Sequence, residues 1–119
     1  MTTRVLVTGS RDWLDIDLIR AELEKLATPD SFITVVHGAC PTGADAIADL
    51  WAQQRAFINE RHPADWKTHR KAAGFKRNAE MVALGADLCL AFIRNHSKGA
   101  THTADLAEKA GIPVRRFLA

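Results

Sequence analysis

The chain has 119 residues, 47% of them hydrophobic and 25% charged, with 16 Lys+Arg against 14 Asp+Glu for a net charge of +2. This composition excludes a disordered chain and fits one domain, residues 1–119, large enough to hold a core without disulfide staples. The small net charge gives no support to nucleic-acid binding on bulk electrostatics.

In chain order, apolar periodicity switches repeatedly between strand-like and helix-like. Residues 4–8 read as a buried strand followed by a turn over 9–12. Ile16, Ile19, Leu23 and Leu26 then recur at helical spacing, with Pro29 as the stop signal. A β-branched strand spans 33–37, and after the loop 38–42, Ala44, Ile47, Ala48 and Trp51 mark one face of a second helix. A weaker strand is expected at 57–59 and a loop at 62–71, where Pro63 and Asp65 are turn formers. Phe75, Ala79 and Val82 space a third helix with Gly85 as its C-terminal cap, and 88–93 is the most continuous strand. A polar turn at 97–99, a fourth helix along Thr103, Ala107 and Ala110, and a short strand at 114–117 complete the pattern. Strict β-α alternation predicts right-handed crossovers and an α/β, three-layer Rossmann-like domain with a parallel sheet of about five strands.

Residues 1–8 contain only Val5-Leu6-Val7 as an apolar run, far short of a signal-peptide core. The run 88–93 is far too short to cross a bilayer, so a cytoplasmic protein with no membrane partner is expected. Cys40 and Cys89 form no CxxC pair and sit among small or apolar neighbours, which predicts two reduced thiols.

Ligands of open α/β sheets bind outside the carboxyl ends of the strands. Three loops there carry glycines and hydroxyls. The first is Thr8-Gly9-Ser10-Arg11, where glycine admits a close approach, Ser10 offers a hydroxyl and Arg11 can pair with phosphate. The same residues also suit a plain turn with a solvated arginine. The second, from Gly38 through Thr42 to Gly43, precedes a helix N-terminus and so suits an anion. Ala44-Asp45 replaces the Lys-[Ser/Thr] pair of a Walker loop, which excludes that class of NTPase, and no G-x-G-x-x-G follows the first strand. Asp45 could bind a ribose hydroxyl; a bracing hydrogen bond is the slightly favoured role. The third loop, with Gly99 and Thr101, could cradle a second phosphate, and Thr101 also reads as an ordinary N-cap.

Residues 66–79 hold Lys67, Arg70, Lys71, Lys76 and Arg77 and no acid. A solvated basic face is the common fate of such a run. An anion would relieve its conflict with a helix dipole, and Arg77 and Asn78 are the better candidates to meet it. Trp66 could stack a base, although a half-buried packing role is the simpler expectation. The histidines show no metal-ligand spacing, and neither a metal nor a resident cofactor is expected.

The ordered set Thr8-Gly9-Ser10-Arg11, His37-Gly38, Gly43-Ala44-Asp45, Pro63-Ala64-Asp65-Trp66, Ala73-Gly74, Arg77-Asn78 with Met81, Ala86-Asp87, and Gly99 with Thr101 resembles the SLOG superfamily. That Rossmann-like group includes DNA-processing DprA/Smf proteins and "Lonely guy" phosphoribohydrolases, and the likeness is to its small YspA/YpsA-related branch of bacteria and phages. The resemblance implies binding of a nucleoside phosphate, ADP-ribose or NAD-like ligand, with Gly9, Ser10, Arg11, Gly38, Gly43, Asp45, Arg77, Asn78, Gly99 and Thr101 in matching positions. It also implies a homo-oligomer, a dimer or higher.

For catalysis, Arg77 through Met81 is similar to the Arg-x-x-x-Met segment of the phosphoribohydrolases, but Thr103 occupies the approximate place of their glutamate. Threonine neither activates water nor stabilises an oxocarbenium-like charge well. A ligand-binding or sensing module is therefore the leading reading. A nucleotide N-glycosidase using Arg77 and Glu80 is the second. Single-stranded nucleic-acid binding is the third, supported by the basic run and opposed by the modest charge and the absence of Tyr.

Overall fold

The computed structural model describes residues 2–119. Its elements are β1 (Thr2–Gly9), α1 (Ile16–Glu24), β2 (Phe32–His37), α2 (Gly43–Gln54), β3 (Ile58–Arg61), α3 (Trp66–His69), α4 (Ala73–Ala83), β4 (Leu88–Ile93), α5 (Lys98–Lys109) and β5 (Val114–Leu118). A 3-10 turn, Arg70–Ala72, joins α3 to α4. The five strands form one parallel sheet in the order β3-β2-β1-β4-β5. The α/β, Rossmann-like reading of the sequence is what the structure shows.

Alternation of side chains along the strands divides the core. Val5 and Val7 of β1, Ile33 and Val35 of β2, and Leu90 and Phe92 of β4 point to one face and pack with Ile19, Leu23, Ala48 and Trp51 from α1 and α2. Leu6, Val36 and Cys89 point to the other face, against Met81 and Val82 of α4 and Ala107 of α5. Burying each large aliphatic side chain contributes about 1.5–3 kcal/mol. Both faces are covered, so the inner strands read as continuous apolar runs. Burial pushes the Cys89 thiol up to about 12, and both cysteines are free.

The edge strand β3 departs from the expected 57–59. Phe57 precedes it and packs against Trp51 and Phe32. The strand itself extends into charged residues whose partners lie on neighbouring elements. Glu60 pairs with Arg4 at 2.7 Å, and hydrogen bonds from Arg4 and His62 hold its carboxyl down at about 2. Arg61 pairs with Asp49 at 2.6 Å. Charged side chains on an edge also discourage pairing with another chain.

Three other boundaries differ. Leu26 lies beyond α1, in a turn where its N–H reaches the Leu23 carbonyl at 3.0 Å. The expected loop 62–71 contains α3, because Asp65 acts as an N-cap and accepts from the Thr68 N–H at 3.1 Å. Lys98 and Gly99 belong to the first turn of α5 rather than to a turn before it, and the Thr101 N–H donates to the Ser97 carbonyl at 3.1 Å. Thr101 is therefore inside the helix and not its N-cap.

The chain runs outward from β1 through β2 to β3, then returns to place β4 on the other flank of β1. The order reverses between β1 and β4. The loops leaving those two strands must diverge to opposite faces of the sheet, and a crevice opens between them. No described helix is long and apolar enough to cross a membrane.

Candidate functional site

A cleft of about 840 Å³ opens at this reversal, along the carboxyl ends of the strands. Its first wall is the loop after β1, with Gly9, Ser10, Arg11 and Asp12. Its second is the loop after β2, from Gly38 through Thr42, with Asp45 beneath it. Arg77 and Asn78 of α4 and Ser97 and Gly99 at the start of α5 close the other side. Gly43, Thr101 and Glu80 do not line it.

Ser10 holds the first and third loops together. Its hydroxyl accepts from the Arg94 N–H at 2.7 Å and lies 3.2 Å from the Arg94 carbonyl. Its N–H donates to the Phe92 carbonyl at 2.9 Å, and its own carbonyl accepts from Ala44 of α2 at 3.4 Å. The buried Ser10 side chain is thus committed to structure, whereas its sequence position suggested a hydroxyl offered to a ligand. Arg94 reinforces the join by donating to the Asp12 carbonyl at 2.8 Å.

The close packing of the first two loops depends on missing side chains. Gly43 has φ of +71°, and a Cβ there would collide with the Ser10 carbonyl oxygen and come within 2.7 Å of Arg11 backbone. A Cβ on Gly9 would strike Ala44 and approach the Phe92 carbonyl to 2.8 Å. These glycines let α2 begin directly against the end of β1.

The second loop is tied from both sides. Asp45, at the third helical position of α2, reaches back and accepts from the Cys40 N–H at 3.3 Å. Burial raises its pKa, opposed by the Cys40 and Gly38 amides and by Arg77. From above, Arg77 Nη1 donates to the Gly38 carbonyl at 2.5 Å and to the His62 carbonyl at 3.3 Å, while its Nε donates to Asn78 Oδ1 at 2.8 Å. Nη2 makes no hydrogen bond to a described residue, so one arm of the fork remains available. Burial lowers the pKa of Arg77, with Asp45 opposing; the guanidinium stays charged. From behind, His37 Nδ1 accepts from the Ala39 N–H at 3.0 Å and Nε2 meets Asp49 at 2.8 Å, an arrangement that fits the neutral Nε2–H tautomer.

Helix ends supply the remaining electrostatics. The 12-residue helices α2 and α5 start at Thr42 and Ser97, and neither residue makes a side-chain cap. By contrast, Asp15 caps α1 and Asp65 caps α3. Both ends turn the positive end of a helix dipole toward the cleft, with the Ala44 N–H of α2 taken by the Ser10 carbonyl. Arg11 and Lys71 add positive charge to its lining.

One feature of the lining was not legible in the sequence. Phe75, read as part of the core face of its helix, is 47% exposed and faces the cleft, because α4 buries Ala73, Asn78 and Met81 beside the expected Val82. Trp66, for which the sequence offers either base stacking or a half-buried packing role, is 51% exposed and also lines the cleft. Thr103, at the place of the phosphoribohydrolase glutamate, is buried and donates to the Gly99 carbonyl at 3.3 Å.

Two outcomes follow from this geometry. Gly43→Ala should lower stability by about 2–4 kcal/mol, from left-handed strain plus overpacking, read as the urea unfolding free energy. An unchanged value contradicts the packing described. The raised pKa of Asp45 means that its contribution to stability is present below the unfolded carboxyl pKa and is lost as pH rises through the folded one. Asp45→Asn should therefore raise the melting temperature at pH 7, with a smaller gain at pH 4, and a lower value at pH 7 contradicts the assignment.

A family model described as the YspA, cpYpsA-related SLOG family matches residues 3–69, a span that includes both loops at the β1 and β2 ends, Asp45 and Trp66. The Gene 61 protein of Mycobacterium phage D29 is 48% identical over 120 residues, covering 96% of this chain and 95% of that protein. The chain belongs to the YspA, cpYpsA-related SLOG family.

Proposed function

We propose that the protein binds a nucleotide or nucleotide-derived ligand in the cleft and acts as a binding or sensing module. The observation that carries this reading is the convergence of two uncapped 12-residue helix starts, α2 and α5, on one crevice that Arg11 and Arg77 also line. Phosphate satisfies orphan N–H groups and positive dipole ends together. In this reading Arg11 and the free arm of Arg77 balance the charge, the Thr42 amide and the first turn of α5 hold the phosphate, and Asn78 orients the sugar. Family membership is consistent with a nucleotide-related ligand.

The N-glycosidase reading has weaker support. Glu80 is exposed and does not line the cleft, and Thr103 carries no carboxylate. The carboxylates among the described lining residues are Asp12 and Asp45, and Asp45 already accepts a loop amide.

A thermal-shift panel of nucleoside phosphates, ADP-ribose and NAD, with chromatography of each hit for free base, tests the proposal. A ligand at 100 times its Kd should add about 2.7 kcal/mol of stability and several degrees to the Tm. No base should be released, and Arg11→Ala should weaken binding about tenfold. A panel without any shift, or release of free base, contradicts the proposal.

A further inference from the structure

Of the eight Phe and Trp side chains, seven pack against another aromatic ring. Among the described residues Trp66 makes no such contact, and it is the most exposed of the eight, at 51%. Its backbone is nonetheless fixed. Asp65 caps α3 beneath it, and its ring lies over Gly74, where even a Cβ would come within 3.6 Å of the indole. Beside it in the same lining is Phe75, whose ring is backed edge-on by His102 of α5, with centroids 4.6 Å apart. His102 Nδ1 is in turn 3.5 Å from Asn78 Nδ2. Two large apolar rings are thus held in place and left open to solvent, in the same cleft as Arg11, Lys71 and Arg77.

We propose that Trp66 and Phe75 form a stacking subsite for the planar heterocyclic ring of the ligand whose phosphate sits at the α2 and α5 N-termini. This rests on the nucleotide-binding reading above and extends it from the phosphate to the base. An indole face attracts an electron-poor heterocycle through offset stacking, at little conformational cost because the ring is already positioned. Stacking is tolerant of the identity of the base, so Trp66 supplies affinity for a ring while the polar groups of the cleft read the sugar and phosphate. The ring is recognised here as part of the same small ligand and not as one base of a strand, because the two aromatics line the same cleft as the helix N-termini and the chain carries a net charge of only +2.

The test uses the full chain, the four nucleoside 5′-monophosphates, ADP-ribose and NAD as ring-bearing probes, and ribose 5-phosphate as the ring-free control. Binding is read by calorimetry and by tryptophan fluorescence. Trp13 and Trp51 are buried, so acrylamide quenching reports chiefly on Trp66. In the wild type, at least one ring-bearing probe should bind roughly tenfold to a hundredfold more tightly than ribose 5-phosphate and should shield Trp66 from acrylamide. Trp66→Ala should bring that probe down to the affinity of ribose 5-phosphate without changing ribose 5-phosphate itself, and Trp66→Phe should restore most of the difference. If ring-bearing probes bind Trp66→Ala as tightly as wild type, or if ribose 5-phosphate binding falls as well, the stacking subsite is wrong while the phosphate site stands. If neither class of probe binds the wild type, the nucleotide reading fails and the subsite with it. Salt-sensitive, Trp66-dependent binding of a short single-stranded oligonucleotide without mononucleotide binding also overturns the subsite, in favour of a strand.

Discussion

The cleft depends on one hydroxyl. Ser10 engages both backbone polar groups of Arg94, at 2.7 Å and 3.2 Å, and so fastens the loop leaving β1 to the loop leaving β4. Those loops lead to helices on opposite faces of the sheet, and nothing in a parallel ladder specifies how far apart they stand. The Ser10 carbonyl adds the third element by receiving the first turn of α2. Three crossovers are thereby set at a fixed spacing around the reversal point between β1 and β4, and the N-termini of α2 and α5 open into a common space.

The groups around that space differ in kind from those elsewhere in the molecule. Helices α1 and α3 carry carboxylate caps, and the edge strand β3 has its charges paired. At the cleft, by contrast, two long helices begin without caps, a carboxyl is buried, a tryptophan is exposed, and a glycine occupies a left-handed position that no other residue would fit. An uncapped helix start, a buried carboxyl and an exposed indole each cost stability in the free protein. Their concentration at one crevice is the arrangement that the proposed ligand site requires.

The sequence was informative where a physical rule leaves a local trace. Alternating strand and helix periodicities, with glycine and hydroxyl residues after the first, second and fourth strands, point to the parallel sheet and to the rim where the cleft lies. It was silent where the outcome depends on packing. Ser10 looked like a ligand donor because nothing local reveals Arg94, 84 residues away, as its partner. Phe75 and Ala79 match a helical stripe, but α4 is rotated so that Asn78 and Met81 face inward. Asp65 read as a turn former because a one-turn helix has too few residues to show a period. Gly99 reads as part of a polar turn from Ser97, yet it lies in the first turn of α5, where glycine is tolerated.

The most direct measurement of the central claim is a map of backbone amide chemical shifts, by two-dimensional nitrogen-proton NMR, as inorganic phosphate and then AMP are titrated into the protein. Saturable shifts should concentrate at residues 9–12, 38–43 and 97–100, with AMP extending them to residues 66 and 75. Shifts confined to the amino ends of the strands, or none at either cluster of helix-start amides, would contradict that claim.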